Sequence, residues 1–300
     1  MISYTKGAYF VERRTESLIR EKLLLAPKEA FFCTCEDAYL LPSIIALESV
    51  RRFFPDAGFF IAGTFKEPNA MALLEHFSIE YLPLSETAFF KETFLIADHQ
   101  PMWPKECFWH LAAYRPLLER GYSRSCCLDG DVLCVNPFDW EAALPSAQPL
   151  SVVHKRNGRL NSGVLFYHHE ALVDMNFIEL VKTFYLTRKD CLHAECTGFC
   201  LEKGDQDLLE AVLKHHRIDY QVLPTAYNFL LHHPYEKCCS VNATMPALLS
   251  DCFFLHIMYK PWISPPTGQP LYPLLDRART LWADVARPIL ERAKAVSGIR

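Results

Sequence analysis

The sequence predicts an α/β fold around a sheet that is covered on both faces. Continuous apolar runs at residues 30–35 and 58–64 are typical of strands buried on both sides. Between them, apolar residues recur at helical spacing from Ile44 to Phe54, and Pro55 ends the pattern. This strand–helix–strand order is the βαβ signature of a parallel sheet.

The same alternation continues along the chain and shows no internal repeat. Helical patterns recur at 109–120, at 171–187 and from Asp205, and apolar strand-like runs recur at 125–135, 157–168, 217–232 and 251–262. One domain with short terminal additions explains this pattern best. The predicted boundaries are a lead-in at 1–28, the α/β domain at 29–265 and a helical tail at 266–300.

Composition and charge exclude several classes of protein. The 300 residues are 50% hydrophobic and 22% charged, which excludes a disordered chain. A net charge of −4 gives no electrostatic reason to expect nucleic-acid binding. No apolar run reaches the roughly 20 residues that cross a bilayer, and the first twenty residues lack the apolar core of a signal peptide. We therefore expect a cytoplasmic protein.

The twelve cysteines are not expected to form a disulfide scaffold, because a chain of this size has a sufficient core without one. Those in apolar stretches are interpreted as small buried hydrophobic residues in a reducing compartment. A denser group could bind zinc or form a solvent-accessible thiol loop, and its spacing matches no known zinc pattern. This group comprises Cys191, His193, Cys196 and Cys200.

The most informative feature is the pair of carboxylates at Asp129 and Asp131, directly after an apolar strand. In open α/β sheets, ligands bind beyond the carboxyl ends of the strands. Two carboxylates one residue apart at such a point can hold Mg²⁺ or Mn²⁺ together with substrate phosphates. The alternative is an acidic turn, because Asp-Gly is also a good turn dipeptide.

Further polar groups follow in order along the chain. Asn161 precedes Gly163 at the start of a strand, where glycine permits close backbone approach and asparagine can bond sugar hydroxyls. Asp205 and Asp207 begin a helix, which a helix cap alone would explain.

His256 and Lys260 lie at the end of another apolar run. Most single histidines are structural, but a histidine and a lysine near a strand end can meet a metal diphosphate. His256 and Lys260 are therefore further candidates for a binding site at the edge of the sheet.

In this order the motifs resemble those of GT-A glycosyltransferases of glycosyltransferase family 8, a group that includes bacterial lipopolysaccharide glucosyl- and galactosyltransferases and glycogenin. The segments that carry the resemblance are FCTCEDAYLLPSIIALESVRRFFPD, YRPLLERGYSRSCCLDGDVLCVNPF, LNSGVLFYH, GDQDLLEAVL and HIMYKPW. It covers about residues 30–262, and the motifs are specific only jointly. It implies a single Rossmann-like nucleotide-diphospho-sugar transferase domain with a mixed central sheet. Two departures are Ala38, where relatives often have asparagine, and Arg115, which is closer to Asp129 than usual.

The resemblance also implies roles for individual residues. The expected ligands of Mn²⁺ or Mg²⁺ are Asp129, Asp131 and His256. Residues expected to bind the nucleotide-sugar donor are Thr34, Glu36, Tyr39, Arg115, Asn161 and Lys260. Those expected on the reacting face of the sugar are Asp205 and Gln206.

The implied activity is metal-dependent transfer of a hexose from UDP-glucose or UDP-galactose to a hydroxyl of a carbohydrate, glycolipid or protein, with retention of configuration. Two alternatives are a sugar nucleotidyltransferase and a non-catalytic nucleotide-sugar-binding relative. The loop after the first strand, CTCEDAY, lacks the Gly and basic residues usual in nucleotidyltransferases. The basic amphipathic pattern of residues 276–300 is typical either of a helix packed on its own domain or of peripheral membrane contact.

Overall fold

The computed structural model describes residues 28–84, 105–155, 158–188, 205–231, 249–257, 260–262 and 273–297. The predicted lead-in and the Cys191–Cys200 group lie outside these residues, apart from Lys28. The first part of the chain forms β1 (Lys28–Glu36), α1 (Asp37–Arg51), β2 (Gly58–Thr64), α2 (Ala70–His76) and β3 (Glu80–Tyr81).

The middle of the chain begins with a 3-10 helix at Lys105–Leu111. It continues with α3 (Tyr114–Glu119), β4 (Tyr122–Leu128), β5 (Val132–Cys134), α4 (Trp140–Ala143), β6 (Leu150–His154) and β7 (Leu160–His168). The remaining elements are α5 (His169–Asp174), α6 (Phe177–Arg188), α7 (Asp205–His215), β8 (Gln221–Leu223), β9 (Phe229–Leu231), β10 (Phe254–Ile257) and α8 (Pro273–Ser297).

Two sheets organise these elements. The larger sheet has seven strands in the order β3-β2-β1-β4-β7-β6-β8. Only β7 runs against the other strands, because it is antiparallel to both of its neighbours. The smaller sheet has the order β5-β10-β9, with β5 antiparallel and β9 parallel to β10. The predicted α/β class with a mixed central sheet is confirmed.

The apolar core lies on both faces of the larger sheet, as the continuous apolar runs predicted. In β1, Phe31 and Cys33 face one buried cluster, whereas Ala30 and Phe32 face the other. The first face is covered by α1 and α8, and the second by the 3-10 helix and the helices α3, α6 and α7. Since both faces are buried, the sheet presents its strand ends to ligands.

Two helices differ from the sequence prediction. α1 begins at Asp37, directly after β1, and contains Pro42 rather than starting beside it. Proline lacks a backbone donor, so this helix tolerates one missing bond in its second turn. The predicted single helix over 109–120 is instead a 3-10 helix followed by the short α3.

The predicted C-terminal helix is confirmed as α8, which spans 25 residues with Pro288 inside it. Its apolar stripe is buried against the rest of the domain, through Leu275, Ala278, Trp282, Ala286, Ile289 and Ala293. Within the described residues, no helix is both long enough and apolar enough to span a bilayer.

Candidate metal centre

The Asp129–Asp131 turn lies where the chain passes from the larger sheet to the smaller one. The Asp129 backbone N–H donates to the carbonyl of Gly163 in β7 at 3.0 Å. The Ile257 N–H, at the end of β10, donates to the Asp131 carbonyl at 2.9 Å. One strand of each sheet thus holds one end of the turn, so the turn has a fixed position relative to both sheets.

Three predicted metal ligands converge at this turn. The His256 Nε2 atom lies 3.1 Å from Asp131 Oδ1 and 3.9 Å from Asp129 Oδ2. One ligand atom from each of the three residues lies within 4.8 Å of the other two. The His256 side chain is 3% exposed and that of Asp129 is 52% exposed, so the cluster is anchored on one side and open on the other.

The electrostatics of the cluster favour a cation. Crowding by surrounding protein atoms and the Asp131 charge raise the pKa of Asp129, although half of its side chain is exposed, and His256 partly opposes this shift. Burial alone would lower the pKa of His256, but the two carboxylates raise it above its ordinary value. Both shifts show that the two carboxylates repel each other and attract positive charge.

The donor set fits a divalent metal ion. Two carboxylates and one imidazole are ligands that Mn²⁺ accepts, and Mg²⁺ favours the carboxylates. The half-exposed Asp129 leaves room for ligands from a bound molecule. The residues expected to hold the metal are therefore assembled at one edge of the sheet.

Gly163 packs against the ring of His256. A Cβ atom on this residue would lie 2.5 Å from His256 Nδ1 and closer still to Cε1. The imidazole ring therefore packs directly on the backbone of β7, and the glycine makes room for it. Close approach of a ligand to Gly163 stays a prediction.

Asn161 is buried in the same region. Its Oδ1 accepts from the Gly163 N–H at 3.0 Å and from Asn228 Nδ2 at 2.5 Å. Asn228 Oδ1 in turn lies 3.0 Å from His256 Nδ1. Donor-sugar contact by Asn161 stays a prediction, while Asn228 is a residue that the sequence analysis missed, because no motif surrounds it.

The start of α7 brings a second polar group toward the cluster. Asp205 Oδ2 lies 3.0 Å from His110 Nε2, and Tyr167 Oη lies 2.5 Å from His110 Nδ1. The Asp205 charge also raises the pKa of Asp129, which places it within electrostatic reach of the metal cluster. His110 was also missed, because a single histidine in an apolar helical pattern predicts only a core residue.

The two residues after Asp205 differ in burial. Gln206 is partly buried at the first turn of α7. Asp207 is buried and pairs with Arg159, which also contacts Glu210 at 3.3 Å. Asp207 thus serves an ion pair within the domain, which is a different structural role from the helix cap considered for this motif, and the role of Gln206 stays a prediction.

Residues expected to bind the nucleotide lie at the carboxyl end of β1. Tyr39 Oη accepts a hydrogen bond from Lys260 Nζ, and its ring meets Trp262 edge-on with centroids 5.9 Å apart. Thr34 and Glu36 are partly buried and lie in the last three residues of strand β1. The structure thus joins Tyr39 to Lys260, and the binding roles of all four residues stay predictions.

Arg115 is the predicted donor-binding residue with the least structural support. Its guanidinium donates to Asn176 Oδ1 at 3.0 Å, in the turn between α5 and α6. That turn follows the end of β7, which pairs with the beginning of β4 and so lies away from Asp129. Donor binding by Arg115 stays a prediction.

No protein-family model matches the chain, and no curated protein matches it. Solved structures do match, and they define the fold as that of the GT-A glycosyltransferases.

Two of these structures illustrate the likeness. The apo form of the glycosyltransferase GlyE from Streptococcus pneumoniae TIGR4 aligns with a TM-score of 0.56 and 17% identity, over 90% of this chain and 64% of GlyE. The galactosyltransferase LgtC, in complex with donor and acceptor sugar analogs, aligns with a TM-score of 0.55 and 15% identity, over 91% of this chain and 97% of LgtC. The chain therefore spans slightly less than two thirds of GlyE and nearly all of LgtC.

Proposed function

We propose that the chain transfers a hexose from a nucleotide sugar, UDP-glucose or UDP-galactose, to a hydroxyl acceptor in a metal-dependent reaction. The observation that carries this proposal is the cluster of Asp129, Asp131 and His256 at the strand ends of a GT-A fold. The structural neighbours GlyE and LgtC are glycosyltransferases, and LgtC binds donor and acceptor sugar analogs, which supports carbohydrate partners.

On the donor side, the cluster would hold Mn²⁺ or Mg²⁺. When bound, the ion would stabilise the negative charge that develops on the departing nucleoside diphosphate. Lys260 adds a fixed positive charge, and its bond to Tyr39 orients it at the end of β1. Thr34, Glu36 and Tyr39 would bind the base and ribose.

On the acceptor side, Asp205 and Gln206 would contact the sugar at its reacting face. His110 holds the Asp205 carboxylate, so that this side chain is already oriented before substrate binds. We propose retention of configuration, with the acceptor attacking on the face from which the diphosphate departs. Gln206 would orient and polarise the reacting groups. LgtC also has a glutamine in its active site, since one of the matching structures is its glutamine-to-glutamate active-site mutant.

The proposal is tested by incubating the purified chain with a panel of nucleotide sugars and Mn²⁺. We expect release of UDP from one UDP-hexose and loss of that activity in excess EDTA. Titration calorimetry with UDP, GDP and CDP in the presence of Mn²⁺ identifies the base. Release of pyrophosphate would indicate a nucleotidyltransferase, whereas tight UDP binding without turnover on any acceptor or water would indicate a non-catalytic relative.

Three further assignments rest on sequence alone and stay proposals. They are the domain bounds 29–265, the cytoplasmic location and the peripheral membrane contact of the tail. The last has the least support, because the apolar stripe of α8 is occupied by packing against the domain.

A further inference from the structure

The direction of three hydrogen bonds behind the metal cluster can be assigned from one backbone group. The Gly163 N–H can only donate, so the atom of Asn161 that it meets at 3.0 Å is the acceptor Oδ1. The same Oδ1 meets the Asn228 side chain at 2.5 Å, and the Asn228 atom there must be the donor Nδ2. The orientation of both amides follows from this chain of bonds.

Asn228 therefore presents its carbonyl oxygen to His256. The distance from Asn228 Oδ1 to His256 Nδ1 is 3.0 Å, and an amide oxygen can only accept. The imidazole must carry a proton on Nδ1. Its Nε2 lies 3.1 Å from Asp131 Oδ1. Asp131 Oδ1 can also only accept, so without a metal Nε2 donates a second proton to that carboxylate, and a metal ion bound to Nε2 would take the place of this proton.

Burial makes this arrangement rigid. Asn161, Asn228 and His256 are exposed by only 3%, 1% and 3%. Water cannot easily replace any of these partners, and a buried polar atom without a partner destabilises the fold. The backbone of Gly163 packs against the Cε1–Nδ1 edge of the ring.

We infer that Asn228 is a positioning residue that keeps His256 in its Nδ1–H form and so directs Nε2 toward Asp129 and Asp131. The relevance of this task to metal binding rests on the proposed function. Hydrogen bonds from the second nitrogen of a ligand histidine fix the ring's orientation and tautomer, and removing them lowers metal affinity about 10–100-fold.

The first test needs no metal. Nitrogen NMR of the full chain labelled with ¹⁵N-histidine reports the tautomer of His256, whose signal is identified by its loss in His256→Gln. At a pH where the ring is neutral, we expect a protonated Nδ1 and an unprotonated Nε2. A neutral His256 with its proton on Nε2 would overturn the inference.

The second test separates positioning from packing. Asn228→Leu has a similar volume but no acceptor, whereas Asn228→Asp keeps an acceptor facing Nδ1 when its other oxygen is protonated and donates to Asn161 Oδ1, as Asn228 Nδ2 does. We expect the Mn²⁺ affinity, measured from the EPR signal of the free ion, to fall about 10–100-fold in Asn228→Leu and to be largely kept in Asn228→Asp. Circular dichroism and thermal melting check that the variants fold.

The two tests distinguish this inference from the proposed function. If wild-type protein shows the Nδ1–H form but no Mn²⁺ binding, the metal-dependent function fails while the assignment of Asn228 stands. If Asn228→Leu folds and retains both the Nδ1–H form and the wild-type Mn²⁺ affinity, the positioning role is wrong. The NMR measurement on the wild-type chain decides the tautomer even if Asn228→Leu does not fold.

Discussion

The ring of His256 lies against the backbone of Gly163 so closely that residue 163 has no room for a side chain. The two residues are 93 positions apart in the sequence, and each belongs to a different sheet. The carbonyl of Gly163 also accepts a hydrogen bond from the backbone N–H of Asp129. One glycine thus contacts both the imidazole of one proposed metal ligand and the backbone of another.

Replacing Gly163 with alanine is expected to damage the metal centre more than the fold. The added methyl group must displace the His256 ring, and overpacking of this kind costs about 1–3 kcal/mol of stability. We expect Mn²⁺ affinity to fall about tenfold or more, because the ring leaves its orientation toward the carboxylates. Calorimetry and thermal melting measure both effects, with Ser162→Ala as the neighbouring control. Unchanged Mn²⁺ binding in Gly163→Ala would contradict the packing argument.

Replacing Asp129 with asparagine is expected to stabilise the metal-free protein while abolishing transfer. The folded-state pKa of Asp129 is raised above its unfolded value, so stability is lost as pH rises through the interval between them. Asparagine removes that cost, which we expect to be below about 1 kcal/mol because the side chain is half exposed and screened.

Urea unfolding with EDTA at pH 5 and pH 8 tests this expectation. The gain in stability of Asp129→Asn over wild type should be larger at pH 8, and its donor turnover with Mn²⁺ should be lost. The exposed Asp219→Asn is the matched control and should change neither quantity. A variant that is less stable at pH 8 than wild type would show that the carboxylate serves the fold instead.

The α/β class could be predicted because buried strands and helices have a recognisable spacing of apolar residues in the sequence. The unbroken apolar run of β1 indicated a strand covered on both faces, and its alternate residues do enter two separate clusters. It did not predict the start of α1, because Pro42 reads locally as a helix start and only the tertiary structure carries the helix back to Asp37.

The candidate site was predicted where its residues form short motifs and missed where they do not. Asp129 and Asp131 are adjacent to a strand end, so both their chemistry and their position are visible in the sequence. Asn228 and His110 have no local signature, and each acquires its role through a partner far along the chain. Such roles depend on side-chain geometry, which spacing along the sequence does not contain.

The buried His169 is expected to make stability fall in acid. Its Nδ1 donates to the Tyr122 carbonyl at 2.7 Å, and because the buried ring is neutral, Nε2 accepts from Ser125 Oγ at 2.8 Å. Burial lowers the pKa of His169 to about 3. The pKa of histidine in the unfolded chain is about 6.5, so below that pH the unfolded chain binds a proton that the folded protein does not. The free energy of unfolding therefore falls by up to about 1.4 kcal/mol per pH unit until about pH 3.

His169→Asn keeps a donor near the Tyr122 carbonyl but cannot take up a proton. We expect this variant to be less stable than wild type at pH 8, with a smaller loss of stability between pH 6.5 and pH 4. Urea unfolding at each pH gives the difference between the two proteins and cancels the titration of other groups. Parallel curves for the two proteins would rule out a titration of His169 in this range.

Gln206 is expected to affect turnover more than donor affinity. It lies next to Asp205, which is held by His110, at the beginning of α7. If its amide acts at the reacting face, Gln206→Ala should lower kcat on the order of 10²-fold, as loss of one oriented donor does elsewhere. The dissociation constant of UDP with Mn²⁺ should stay unchanged. Gln148→Ala, just before β6 and remote from the metal cluster, is the control. A raised KM with an unchanged kcat would assign Gln206 to uniform substrate binding.

The apolar face of α8 is expected to stabilise the domain rather than to contact a membrane. Trp282 is 5% exposed, and its ring lies 5.7 Å from that of Trp262, which in turn meets Tyr39. Trp282→Ala should therefore cost about 3–5 kcal/mol of stability, as loss of a buried aromatic side chain does.

The matched variant is Arg287→Glu, which reverses a charge on the exposed face of the same helix. Exposed charges contribute little to stability, so this variant should melt close to wild type. Since the apolar stripe of α8 is packed against the domain, we expect neither wild type nor Arg287→Glu to float with anionic liposomes. Flotation of wild type that is lost in Arg287→Glu would instead show that the basic face binds a membrane surface, because reversing one charge there weakens electrostatic attraction without unpacking the helix.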